Sequence, residues 1–242
     1  MKPGRSQRAG AGDVAAALEA GEPMRLLMVR EGALSPRARA VVARCKAAEV
    51  PIRTAGPREM KRMAAAGAEP ELLGLVGPDP KSSLAEVLAT GGPLWLLTGV
   101  AYPGNAGFAI RTAEVSGAAG IALDVSFDRD GRRQALRASM RADRLFPVLW
   151  APAEEVLERA GEAGHRLVGV EDQGQQAPWE IDLTGPAVFV VGGEAGGVAA
   201  PLLDRCDVTI RIPMTGFIPS YNLQAALSIV AGERLRQSLL QA

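Results

Sequence analysis

The chain has 242 residues, 48% hydrophobic and 22% charged, an ordinary globular composition with room for one large or two modest cores. No apolar run reaches membrane-spanning length and no signal-peptide core opens the chain, so a cytoplasmic protein off the membrane is expected. One histidine and two cysteines, Cys45 and Cys206, leave too few soft ligands for a zinc site, so no metal is expected and both thiols read as reduced structural residues. Lys/Arg and Asp/Glu balance at 27 each, but residues 1–90 carry 14 bases against 10 acids and the remainder 13 against 17.

Residues 1–12 begin rich in Gly, Arg, Ser and Gln and read as a flexible arm. Alternation follows: helix 14–20, strand 25–30, helix 36–48, strand 51–54, helix 58–66 and strand 72–76, a small α/β unit within 13–90. Pro78, Pro80 and Gly91-Gly92-Pro93 mark a linker over 77–93. From Leu94 the spacing predicts strands at 94–98, 120–123, 147–150, 166–170, 187–191 and 208–212. Helices are predicted at 106–116, 132–143, 153–162, 199–204 and 223–240. Apolar strands separated by amphipathic helices argue for a parallel sheet covered on both faces, which binds ligands beyond the carboxyl ends of its strands.

Three segments fall at such ends. The first is Asn105-Ala106-Gly107, running into a helix that carries Arg111. The second, Gly192-Gly193-Glu194-Ala195-Gly196-Gly197, follows a buried strand and lets backbone approach a ligand closely. The third runs from Ile212 through Met214, Ser220, Tyr221 and Asn222 to Leu223, where a helix begins. Its N-terminus offers unsatisfied N–H groups, although Ser220 and Asn222 are also ordinary helix caps. Arg133, Arg137 and Arg141, four apart, together with Arg132, would form a basic stripe suited to phosphates or a solvated helix face.

In this order the segments resemble the three motifs of the SPOUT class of RNA methyltransferases, specifically its TrmH (SpoU) branch, which methylates ribose 2′-hydroxyls. The resemblance implies a trefoil-knotted domain over 94–242 that uses S-adenosylmethionine. It also implies a homodimer with the active site near the subunit interface. Catalytic positions would be Asn105, Arg111, Glu194, Ser220 and Asn222. Glu194 would orient Asn105 or Arg111, and Arg111 would position phosphate and stabilise charge, since arginine stays protonated. The cofactor would lie against Gly192, Gly193, Gly197, Ile212, Met214, Ser220, Tyr221 and Leu223, and RNA against Arg111, Arg132, Arg133, Arg137 and Arg141. The N-terminal unit resembles the small RNA-binding domain found on ribosomal RNA enzymes, which favours ribosomal over transfer RNA; a structural cap or dimerisation module is the alternative. The chain departs from the family at Tyr221 (usually Leu), Gln224 (usually Ser), Tyr102 (an acid or Asn) and Arg141 (usually Gly).

Asn105 reads equally as a helix cap. His165 reads as a loop residue, and Trp95, Trp150 and Trp179 as packing residues. Two rivals stay open: a non-catalytic RNA-binding protein on the same scaffold, and a nucleotide-dependent oxidoreductase or hydrolase. Against the latter, the glycine loop follows the fifth strand rather than the first, and no Gly-x-Ser-x-Gly elbow accompanies His165.

Overall fold

A computed structural model describes residues 7–64 and 69–241. The chain divides between Asp79 and Pro80 into two compact units. The first contains β1 (Gln7–Ala9), α1 (Gly10–Glu19), β2 (Met24–Arg30), α2 (Pro36–Ala47), β3 (Ile52–Ala55), α3 (Pro57–Met63) and β4 (Leu72–Val76). Its sheet runs β1-β4-β2-β3, with only β2 and β3 parallel. Leu27, Val29 and Leu72 face α1 and α2, while Met28 and Leu73 pack with Met60 of α3. That is the two-residue alternation of strands dividing one sheet between two cores. Ser35 starts α2 by accepting the Ala38 N–H at 3.2 Å, with Pro36 at the first helical position.

Two expectations are corrected in this unit. Residues 7–12, assigned to a flexible arm, form β1 and the first turn of α1. A three-residue strand has no period to read; it exists because its backbone pairs antiparallel with Leu73–Leu75 of β4. The helix expected over 58–66 ends at Met63; residues 65–66 lie outside the described residues, as do residues 1–6.

The second unit contains α4 (Leu84–Ala89), β5 (Leu94–Thr98), α5 (Pro103–Val115), β6 (Gly120–Asp124), α6 (Arg129–Ala138) and β7 (Val148–Trp150). It continues with α7 (Ala153–Glu162), β8 (Arg166–Val170), β9 (Ala187–Gly192), α8 (Ala200–Leu203), β10 (Val208–Ile210) and α9 (Leu223–Leu240). Single 3-10 turns lie at Ala142–Arg144 and Pro178–Glu180. Six parallel strands run in the order β10-β8-β9-β5-β6-β7. Trp95, Leu97, Ile121, Leu123, Phe189 and Val191 point toward α5, α6 and α9. Leu94, Leu96, Ala122, Val188 and Val190 point toward α4, α7 and α8. Trp95 and Phe189, directly paired between β5 and β9, stack with ring centroids 4.9 Å apart.

The expected linker over 77–93 does contain the boundary between the units, at Asp79–Pro80, but part of it is helical. Within it, Ser83 and Glu86 form a reciprocal capping box that starts α4, and Val87 and Leu88 are buried against the sheet. Helix α6 stops at Ala138 rather than 143, because Met140 and Arg141 both take left-handed backbone, φ 58° and 62°. Strand β10 stops at Ile210, two residues short of the expected end.

Candidate functional site

A cavity of about 470 Å³ opens beyond the carboxyl ends of β8, β9 and β10. Its walls are the glycine loop after β9 and the segment joining β10 to α9. All eight residues expected to hold the cofactor line it: Gly192, Gly193, Gly197, Ile212, Met214, Ser220, Tyr221 and Leu223. So do Glu194 and Asn222. The glycines are required by close backbone approach. A Cβ on Gly192 would stand 1.9 Å from the carbonyl carbon of Gly197, and one on Gly193 2.0 Å from the Gly99 carbonyl oxygen. Gly197 itself has φ +61°. The second motif therefore packs backbone to backbone against the loop that follows β5, just ahead of the first motif.

Glu194 makes that joint specific. One carboxylate oxygen accepts the Asn105 side-chain N–H, and the other accepts the Ala101 N–H at 3.0 Å. Asn105 is thus not the cap of its helix: Tyr102 holds that position, Pro103 follows, and Asn105 sits at the third helical residue with its side chain turned to Glu194. Burial raises the Glu194 carboxyl, but the hydrogen bonds from Asn105 and from backbone N–H groups outweigh it and hold the group below its ordinary range. It is ionised at neutral pH.

Asn222 caps α9, accepting the Gln224 N–H at 2.9 Å. The capping reading of this residue therefore coexists with its place in the cavity wall. Tyr221, where leucine is usual, sends its hydroxyl 3.5 Å from the Pro213 carbonyl across the same loop, a long contact. Gln224, where serine is usual, donates to Ser228 within α9 at 2.9 Å.

Arg111 does not line the cavity. At 100° per residue it shares one face of α5 with Asn105, Phe108, Thr112 and Val115, and Phe108, Arg111 and Val115 are exposed. Behind that face, Gly107 is buried so closely that a Cβ would lie 2.4 Å from the Ala135 carbonyl oxygen and 2.5 Å from the Ala138 Cβ. The glycine of the first motif thus serves the packing of α5 on α6.

The expected arginine stripe is corrected. Arg141 lies beyond the end of α6 and forms a two-pronged pair with Asp143 at 3.0 and 2.9 Å. Its left-handed backbone is the physical reason a glycine is usual at this position. Arg133 pairs with Asp130 at 3.4 Å, Arg137 is exposed, and Arg132 stands over the Trp150 ring. His165 is buried in the turn before β8, at the amino end of the sheet and so on the edge opposite the cavity. Trp95 is a core residue; Trp179 is corrected, being 54% exposed.

Sequence reasoning missed Glu171, Asp172 and Arg211, all in the cavity wall. Glu171 accepts the Val198 N–H and ties the far end of the glycine loop to β8. The signal was present: Glu171 is the first residue past an expected strand, at the ligand-binding edge of the sheet. The cavity fits S-adenosylmethionine in kind. Its volume is that of a small-molecule site, and Glu171, Asp172 and Glu194 outnumber Arg211 around a ligand that carries positive charge. Among the described residues no cluster of three or more metal-ligating side chains occurs.

The model of the SpoU rRNA methylase family matches residues 94–232. Over 218 residues the chain is 28% identical to the 23S rRNA (guanosine-2′-O-)-methyltransferase RlmB of Pseudomonas syringae pv. tomato, covering 87% of each chain. It is 31% identical over 161 residues to an uncharacterized tRNA/rRNA methyltransferase of Mycobacterium sp. (strain KMS), covering 65% of this chain and 51% of that one. Among solved structures it resembles the AdoMet-bound rRNA methyltransferase of Sinorhizobium meliloti at 25% identity. The TM-score is 0.59, covering 95% of this chain and 86% of the other.

Proposed function

The chain belongs to the SpoU rRNA methylase family, and from that premise we propose how its site carries out S-adenosylmethionine-dependent methylation of a ribose 2′-hydroxyl in ribosomal RNA. The observation that carries the reading is the Asn105–Glu194 hydrogen bond, which joins two motifs 89 residues apart at the rim of the cavity.

The glycine loop and the segment from Ile212 to Leu223 would hold S-adenosylmethionine, which supplies an electrophilic methyl group. The chain's own residues do the rest. Glu194, kept ionised, fixes the Asn105 amide and through it the start of α5. Arg111 projects from that helix outside the cavity wall of its own chain and anchors a substrate phosphate. A phosphate oxygen of the RNA accepts the hydroxyl proton. Ser220 and Asn222 orient the ribose from the opposite wall.

Arg111 shares its exposed face with Phe108 and Val115, 50% and 68% exposed. Exposed apolar side chains around a functional cation mark a contact surface, and we assign this face to a homodimer. Phe108→Glu is expected to shift the protein to monomer in sedimentation and to lower methyl transfer; a variant that stays dimeric would reject the assignment. The trefoil knot belongs to the same reading. Support comes from the tight passage of residues 174–176 against 209–211, where a Cβ on Gly174 would lie 2.4 Å from the Ile210 carbonyl carbon. Refolding from urea as fast as that of an unknotted α/β domain would count against it. The ribosomal RNA substrate of this reading assigns the site of action to the cytoplasm, to be checked by fractionation; among the described residues no helix is long and apolar enough to cross a membrane.

The deciding assay is transfer of labelled methyl groups to bulk ribosomal and transfer RNA, with the product mapped to base or ribose. Ribose label on ribosomal RNA, lost in Arg111→Ala while cofactor binding persists, is the expected result. Label on transfer RNA alone would move the substrate, and label on a base would overturn the reaction.

A further inference from the structure

Arg132, Trp150 and Phe127 form a cluster that the methyl-transfer chemistry does not use. Trp150 ends β7, Phe127 lies in the loop after β6, and Arg132 is near the start of α6. The Arg132 Cζ lies 4.7 Å from the centroid of the Trp150 ring, and Phe127 meets the same ring edge-on at 6.4 Å and 63°. Both rings are half-buried against the core beneath α5, whereas Arg132 is exposed, so the side of its guanidinium away from the ring meets solvent. The nearby acids are engaged elsewhere: Asp124 accepts the first N–H of α7 at 3.0 Å, and Asp128 caps α6 at 2.7 Å.

Strand order fixes where this cluster stands. From the glycine loop after β9, the carboxyl edge of the sheet passes β5, which leads into α5 with Asn105 and Arg111. It then passes β6 and reaches Trp150 at the end of β7. At about 4.8 Å per strand, Trp150 is about 14 Å along the same edge from the glycine loop. Arg129, Arg133 and Arg137 are exposed on the adjoining helix.

We propose that Arg132, Trp150 and Phe127 are a stacking platform for an unpaired nucleobase beside the methylated nucleotide. The inference rests on the reading above that the substrate is RNA, and it names how a flanking nucleotide is held. Unstacked bases of loops and single strands are gripped on aromatic faces and guanidinium planes. An arginine already laid over an indole gives up little freedom when a base is added to the stack. A contact made to phosphate alone has no use for the ring beneath it.

The test is cofactor-free binding of a fluorescein-labelled oligoadenylate to the full chain, followed by anisotropy, beside an oligomer of the same backbone without bases. Trp150→Leu and Arg132→Lys are each expected to weaken oligoadenylate binding at least about fivefold and to leave the abasic oligomer unaffected. Arg132→Lys keeps the charge and loses the plane, and as an exposed change it guards against a fold defect in Trp150→Leu. Wild-type affinity in Arg132→Lys would overturn the platform. So would an equal loss on the abasic oligomer, which would make the cluster a phosphate contact. Failure of methyl transfer with this binding pattern intact would strike the proposed reaction and leave the platform standing.

Discussion

Glu194 joins two of the three motifs through one carboxylate, and its ionisation gives a prediction. Its folded-state pKa lies below the ordinary 4.5, because hydrogen bonds from Asn105 and the backbone outweigh burial. A depressed carboxylate keeps its contribution above the unfolded pKa and loses it as pH falls through the folded value. Cofactor affinity is therefore expected to stay level from about pH 8 to about pH 5 and to fall only below the usual carboxylate range. Calorimetry across that range checks this, and Glu194→Gln should remove the acid limb. The two thiols give a second prediction. Burial, then the charge of Asp207, pushes Cys206 up to about 11, and burial raises Cys45. Both are free thiols held protonated at pH 8, so an aromatic disulfide reagent is expected to titrate them only after denaturation.

Between elements, glycines decide how closely helices and loops approach. Gly107→Ala would drive a methyl group into the backbone of α6 at Ala135, with no flexible side chain to give way. A loss of about 1–3 kcal/mol in urea unfolding is expected. Gly193→Ala meets the Gly99 carbonyl instead, at the junction of the glycine loop with the β5 loop. Its effect should appear in the site, as at least about a tenfold loss of cofactor affinity by calorimetry. Helix α4 shows a local signal overlooked. Ser83 and Glu86 at capping-box spacing precede Leu84, Val87 and Leu88, yet the glycines and prolines on either side read as linker.

For the molecule as a whole, every residue of the cavity wall belongs to the second unit. Residues 80–242 alone are thus expected to bind S-adenosylmethionine with affinity within about threefold of the full chain, while methylation of ribosomal RNA falls if the first unit holds substrate. Calorimetry and methyl transfer on the same preparation separate the two effects. Equal methylation by the fragment would assign the first unit another role.

Local pattern alone determined the alternation of strands and helices, the parallel sheet, and the three loops at its carboxyl edge. Apolar period and turn residues are properties of neighbours in the chain, which is why β4, β5, β8, α7 and α9 match their expected spans. What only the tertiary structure decided depends on partners far away in sequence. Strand β1 exists because β4 offers a backbone edge. Asn105 turns from a possible cap into a ligand of Glu194, and Glu171 becomes the tie of the glycine loop. The arginines from 129 to 144 part company: the backbone turns left-handed at Met140 and leaves Arg141 on Asp143, whereas Arg132, still within α6, meets Trp150 at the end of β7. No spacing rule encodes the Asn105–Glu194, Glu171–Val198 and Arg132–Trp150 contacts, because they form only when the strand order brings separate carboxyl ends together.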